Sequence, residues 1–169
     1  MNKIQILKTR SVTTPTRANK SDSGIDFFVP DDLLHVNETP SALKDWKKLI
    51  YVENNEIIIK PWKWVLIPSW IKMIIQEGYD LVFENKSWIS TKYWLVIWAK
   101  VVDSSYRWEV HLHLINTSRE NVIVKSWQKI AQWIIRKVEN DFPIEISEEK
   151  FEKQSNTSRW QWGFWSTWE

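Results

Sequence analysis

Apolar residues along this chain come in short β-branched runs separated by breakers: Ile57-Ile58-Ile59, Val65-Leu66-Ile67, Val101-Val102, Val122-Ile123-Val124 and Ile134-Ile135. Runs of that length, bounded by polar and turn-forming residues, predict strands rather than helices. The clearest two-residue period sets Val110, Leu112 and Leu114 against Glu109, His111 and His113, the pattern of a strand with one buried face. No segment offers a comparable long helical period. The best helical candidate is short, about Ser41 to Leu49, and opens after Pro40. It lies in a polar insertion from about Asp31 to Asn55 that reads as a surface excursion. The pattern predicts an all-β domain over residues 1–147.

The polar stretch from Glu148 to Ser158 has almost no apolar side chains and reads as a flexible tether. Residues 159–169 differ, combining Arg159 with aromatics and the hydroxyls of Ser166 and Thr167 at the end of that arm. Such a segment suits a lid that orders on binding; a frayed terminus with adherent indoles is the alternative.

Composition narrows the class. A chain of 169 residues with 43% hydrophobic and 26% charged residues is long enough for one well-buried domain and short for two. With 23 Lys plus Arg against 21 Asp plus Glu, and no run of like charge, nothing resembles a nucleic-acid arm. The absence of Cys removes disulfides, thiolate metal sites and thiol nucleophiles. The N-terminal residues lack an apolar signal core and no stretch approaches a membrane span, so an intracellular, cytoplasmic protein with neither nucleic-acid nor membrane partner is expected.

Three features are candidates for chemistry. Asp103 ends a hydrophobic strand ahead of Ser104, Ser105 and Tyr106, a rigid position for a general base that activates water. An ordinary turn aspartate bonded to the amides of Ser104 and Ser105 is the competing reading. Lys86-Ser87 and Ser90-Thr91-Lys92 alternate cations and hydroxyls, a set suited to phosphate oxygens and equally common on solvated surface. His111 and His113 share a strand face, but without a third ligand at matching spacing they read as exposed strand residues rather than a metal site.

Five segments in chain order resemble the five motifs of the trimeric dUTP pyrophosphatase (dUTPase) family. Thr16-Arg-Ala-Asn-Lys-Ser-Asp-Ser-Gly-Ile-Asp26 is similar to the family's Ala-Gly-x-Asp-Leu segment, and Glu84-Asn-Lys-Ser-Trp-Ile-Ser-Thr-Lys-Tyr-Trp-Leu95 to Arg/Lys-Ser-Gly before a helix. Val101-Val-Asp-Ser-Ser-Tyr-Arg-Trp-Glu109 is close to Val-Ile-Asp-x-x-Tyr-Arg-Gly, and Trp127-Gln-Lys-Ile-Ala-Gln132 to Gly-x-Arg/Lys-Ile-Ala-Gln. Arg159-Trp-Gln-Trp-Gly-Phe-Trp-Ser-Thr-Trp168 resembles Arg-Gly-x-Gly-Gly-Phe-Gly-Ser-Thr-Gly.

The resemblance implies a jelly-roll β-barrel or sandwich, a homotrimer with shared active sites, and hydrolysis of dUTP to dUMP and pyrophosphate with Mg²⁺. In the roles it implies, Asp103 orients the water that attacks the α-phosphorus, and Tyr106 packs on the deoxyribose. The backbone of Ala99, Lys100, Val101 and Val102 reads the uracil edge. Lys86, Ser87 and Gln132 contact phosphates, and Asp26 lies near metal-bound water. In the closing segment, residues 159–169, Arg159 neutralises phosphate, Phe164 stacks on uracil, and Ser166 and Thr167 bind the γ-phosphate. A metal held chiefly by the triphosphate needs no dense ligand cluster. The related dCTP deaminases place a catalytic Glu in a Leu-Glu-Leu stretch, where this chain reads Leu112-His113-Leu114.

Average usage predicts about twelve Gly in such a chain, whereas this one has 3 Gly and 14 Trp. Trp88, Trp108, Trp127, Trp160, Trp162, Trp165 and Trp168 stand where the family has Gly. Backbone amides approach phosphate most closely at glycine, so four indoles in the closing segment obstruct it. A source that reads UGA as Gly, translated here as Trp, accounts for the pattern, as does deliberate substitution; UGG codons refute the first. If the Trp are genuine, the chain reads as a catalytically dead jelly roll, a trimeric binding protein with an aromatic interface.

Overall fold

The computed structural model describes residues 3–33, 51–139 and 141–155. The predicted helix around Ser41–Leu49 and the closing segment from Arg159 lie outside these residues.

Each β-branched run forms a strand. In chain order the elements are β1 (Ile4–Lys8), β2 (Ile25–Phe28), β3 (Tyr51–Glu53), β4 (Glu56–Ile59), β5 (Trp64–Ile75), β6 (Tyr79–Asn85), α1 (Ser87–Tyr93), β7 (Leu95–Ile97), β8 (Val101–Val102), β9 (Glu109–Asn116), β10 (Val122–Lys125), β11 (Lys129–Lys137) and α2 (Glu148–Gln154). They build three antiparallel sheets, ordered β1-β5-β9-β7, β10-β4-β3 and β2-β11-β6-β8. The fold is the expected mostly-β one, and among the described residues no helix is long and apolar enough to cross a membrane.

Alternation along β9 follows the sequence pattern: Val110, Leu112 and Leu114 are buried, and the residues between them only partly so. Burying each such side chain contributes about 1.5–3 kcal/mol. Phe27 on β2 meets Phe83 on β6 and Trp133 on β11 edge-on, each pair of centroids 5.4 Å apart, which locks the third sheet's inner face. His111 and His113 are half-buried rather than exposed as expected, because the neighbouring strands shield them: His113 stacks edge-on against Trp64 at 5.0 Å. Burial holds the His113 imidazole below its usual pKa. Neither ring's Nε2 has a hydrogen-bond partner among the described residues.

The insertion differs from a plain excursion at both ends. Leu33 is fully buried, and the Asn55 side chain accepts from the Leu33 amide at 2.7 Å and donates to the Asp31 carbonyl at 3.2 Å. Residues 51–55 are already part of the β3–β4 hairpin, turned through Asn54 and Asn55 at φ 50° and 61°. Asn tolerates the left-handed region that such a two-residue turn demands.

The chain divides into compact units at Met1–Val138 and Glu139–Glu169. In the second, Glu148–Gln154 is a helix where the composition predicts a tether. Ser147 caps it, accepting from the Lys150 amide, and Glu148 and Glu149 sit in its first turn. Lys153 also pairs with Glu149 at 2.5 Å one turn away. Local capping thus outweighs the lack of an apolar face.

Candidate functional site

β11 lies between β2 and β6, and that placement assembles three of the sequence motifs. Gln132 is in register with Asp26 on one side and Glu84 on the other. Asp26 is 6% exposed, and its carboxylate accepts from Lys86 Nζ on one oxygen and lies 2.9 Å from Lys129 Nζ on the other. Burial pushes this carboxyl's pKa up, but the hydrogen bonds and charges of Lys86 and Lys129 together outweigh it and leave the group below the ordinary aspartate value. Two part-exposed ammonium groups are therefore gathered around one buried anion. This arrangement can receive phosphate oxygens on its solvent side.

Asn85 joins that cluster to β7. Its Oδ1 accepts from the Ile97 amide at 2.6 Å, and its backbone carbonyl accepts from Gln132 Nε2 at 3.0 Å. Lys100 Nζ meets Glu84 Oε2 at 2.8 Å, tying the segment before β8 to β6. Asn85 and Lys129 are absent from the sequence-derived site. Lys129 lies inside the fourth motif, one of the two polar side chains beside Gln132, whereas a lone Asn before Lys86 carries no periodic signal. Ser87 is exposed at the first residue of α1.

β8 is the edge strand of its sheet, pairing with β6 through Leu81–Val102 and Val82–Val101. The Lys100 carbonyl takes the Phe83 amide at 2.8 Å, so one side of this backbone is used and the other faces away from the sheet. An open edge of main-chain donors and acceptors can pair with a planar base. Asp103 follows directly and is exposed; the Tyr106 amide bonds its carbonyl at 3.0 Å, closing the turn. Among the described residues no hydrogen bond reaches the Asp103 carboxylate, so the turn-aspartate reading with bonds to Ser104 and Ser105 is not realised. Tyr106 is half-buried and its hydroxyl donates to the Glu109 carbonyl at 2.9 Å. Burial, then the Glu109 charge, raises its pKa.

The two halves of the site stand apart within one chain. Because Val102 pairs with Leu81, Asp103 leaves the sheet beside Asp80, while Lys86 follows Asn85 at the opposite end of β6. Six residue steps along the chain separate Asp80 from Lys86, roughly 20 Å at about 3.3 Å per step. Asp26, Lys86, Lys129 and Gln132 come together; Asp103 and Tyr106 do not join them. No cluster of three His, Asp or Glu suited to a metal occurs among the described residues. A cavity of about 620 Å³ opens elsewhere, between Trp62, Tyr93, Trp94 and Arg119; it takes in Lys92, Tyr93 and Trp94 from the end of the second motif, but none of Asp26, Lys86, Ser87, Asp103, Tyr106 and Gln132.

Residues 50–168 match the dUTPase family model. The chain is 28% identical over 168 residues to the deoxyuridine 5'-triphosphate nucleotidohydrolase of Hydrogenobaculum sp., covering 98% of this chain and 97% of that protein. It is 34% identical over 119 residues to the Finegoldia magna protein of the same name, covering 69% of this chain and 79% of that one. Among solved structures, the dUTPase from phage phi11 of S. aureus, described with a structural Mg(II) ion, superposes with a TM-score of 0.67 at 17% identity. That superposition covers 87% of this chain and 98% of the phage protein.

Proposed function

The chain belongs to the dUTPase family, and we propose that it hydrolyses dUTP to dUMP and pyrophosphate with Asp103 as the base that activates water for attack on the α-phosphorus. The observation that carries the assignment is β8: an open backbone edge runs straight into an exposed carboxylate that no group among the described residues engages. Ala99, Lys100, Val101 and Val102 present that edge to uracil, and Tyr106, braced through its hydroxyl, flanks the deoxyribose. Reading a base by main-chain groups discriminates strongly, since a mismatched edge leaves buried donors or acceptors unpaired.

Lys86, Ser87 and Gln132 receive the triphosphate. Phosphoryl chemistry asks for positioning and charge neutralisation more than for covalent participation, and Lys86 and Lys129 around Asp26 supply both. Asp26 fits an indirect metal role: it is held charged, yet both oxygens already accept from lysines, so it reaches a cation through water. When bound, Mg²⁺ adds charge neutralisation on the phosphates.

The roughly 20 Å between Asp103 and Lys86 supports a site completed by another copy of the chain, and we assign a homotrimer in which each site draws Asp103 from one subunit and Lys86 and Gln132 from its neighbour. Arg159, Phe164, Ser166 and Thr167 are assigned to closing it over the phosphates and base. Within the motifs, Trp88, Trp108, Trp127, Trp160, Trp162, Trp165 and Trp168 occupy the family's Gly positions, and a closing segment carrying four indoles turns over slowly. The substrate belongs to the cell's nucleotide pool, which assigns the enzyme to the cytoplasm.

The test is pyrophosphate release from dUTP with dCTP as control. Asp103→Asn lowers kcat by about 10²–10⁴-fold with substrate binding retained. Wild-type turnover by the Asn variant, or ammonia release from dCTP, refutes the assignment.

A further inference from the structure

Seven described residues have left-handed backbone: Gly78, Asn54, Asn55, Trp62, Trp70, Trp94 and Trp127. Gly adopts that region freely and Asn with little penalty, whereas an indole-bearing residue pays the full Cβ clash without a local polar compensation. No residue type other than Gly, Asn and Trp occurs there among the described residues.

The four Trp occupy structural devices whose chemistry asks for glycine. Trp62, at φ 58°, is the third residue of the turn Lys60–Lys63, closed by the Lys63 amide on the Lys60 carbonyl at 3.2 Å, with Pro61 at the second position. That is the type II arrangement of Pro followed by Gly. Trp127, at φ 64°, holds the same place in the turn Lys125–Gln128 between β10 and β11. Gly78 itself, at φ 79°, holds it in the turn Gln76–Tyr79. Trp94 ends α1 at φ 54° and ψ 29°, its amide on the Ser90 carbonyl, where helices turn left-handed on glycine. Trp70, at φ 58°, sits in the irregularity of β5 between Pro68 and Lys72, where a bulge takes a left-handed glycine.

Burial does not repay the clash at three of these positions: Trp62 is 66% exposed, Trp94 62% and Trp127 56%. The indoles of Trp62 and Trp94 also form walls of the 620 Å³ cavity.

From this backbone geometry we infer that positions 62, 70, 94 and 127 are glycine in the native polypeptide, their codons being read as Gly rather than Trp. Trp62, Trp70 and Trp94 match no family motif glycine named above, so the inference goes beyond the functional assignment and survives its failure. Its consequence for function lies in the closing segment: if the same codon specifies Trp160, Trp162, Trp165 and Trp168, the native arm is free of indoles.

The deciding experiment is tandem mass spectrometry of protein purified from its native source, on the tryptic peptides 64–72 and 93–100, beside the codons of the same gene. Glycine residue masses at 70 and 94, encoded by UGA, are expected. Tryptophan masses there overturn the inference. In recombinant protein with the sequence as written, Trp94→Gly and Trp62→Gly should each raise the thermal midpoint by a few degrees, and Trp94→Ala should raise it less than Trp94→Gly. A Gly variant no more stable than its Ala counterpart also overturns it, because removing the indole alone would then explain the gain.

Discussion

Gly24 lies so close to Gln132 that a Cβ at position 24 would stand 2.2 Å from the Gln132 Oε1. The contact is made by the loop before β2 against the side chain that bridges to Asn85, so space at residue 24 decides where Gln132 points. Gly24→Ala must push Gln132 away and break its 3.0 Å bond to the Asn85 carbonyl. Because the displaced atom ends a flexible side chain, the expected stability cost is that of the lost hydrogen bond, about 0.5–1.5 kcal/mol, together with a drop in kcat/KM for dUTP. Thermal denaturation and steady-state kinetics on the same preparation check both.

Asp26 gives the fold an acid-sensitive element. Its carboxyl lies below the ordinary value of 3.8 in the folded chain, so the unfolded state takes up the proton first. The stabilisation is complete above pH 3.8 and fades as pH falls through the lower folded value. Asp26→Asn leaves Lys86 and Lys129 without their anion and costs about 1–3 kcal/mol at neutral pH, and the variant loses less further stability on acidification. Urea denaturation of both proteins at pH 7 and near pH 3 measures the difference; parallel pH profiles contradict it.

Under the proposed assignment Asn85 is a positioning residue, since it holds the Ile97 amide at the start of the segment leading to β8. Asn85→Ala should raise KM for dUTP about tenfold, a loss of roughly 1.4 kcal/mol in positioning, with a smaller effect on kcat. Asn85→Asp keeps an acceptor for the Ile97 amide and recovers much of the KM. Equal loss in both variants would mark Asn85 as a purely structural residue.

His113 adds a second pH dependence. Its half-buried ring has a pKa held below the usual 6.5 by burial, so the folded chain disfavours the imidazolium that the unfolded chain accepts. Stability declines as pH falls below 6.5, and His113→Gln should flatten that decline. Denaturant midpoints between pH 5 and pH 8 provide the check.

Sites shared between subunits predict complementation. Asp103→Asn and Lys86→Ala homomers are each inactive, but subunits mixed by refolding together form sites that pair the intact Asp103 of one with the intact Lys86 of the other. Random assembly gives about a quarter of sites intact, and recovery of that share of wild-type turnover is expected. No recovery at all would place both residues in a site built by one chain.

The sequence by itself determined the strands, because β-branched runs and the alternation through Val110, Leu112 and Leu114 are local properties of a half-buried sheet. It also determined the family motifs, since Asp103, Lys86-Ser87 and Gln132 occur in a specific chain order. Only the tertiary structure decided which of these meet. Pairing β11 with β2 and β6 put Gln132 beside Asp26 and recruited Asn85 and Lys129, residues with no periodic signature. The register of β6 with β8 sent Asp103 to the far end. Composition misjudged Glu148–Gln154 because capping and an ion pair depend on single residues at fixed positions, which a polar average conceals. Trp62 after Pro61, Trp70 after Ser69 and Trp127 after Ser126 already stand in the sequence where turn chemistry asks for Gly. The tertiary structure added the left-handed φ at these positions and at Trp94, because φ is set by the closed turn, helix end or bulge that hydrogen bonds impose.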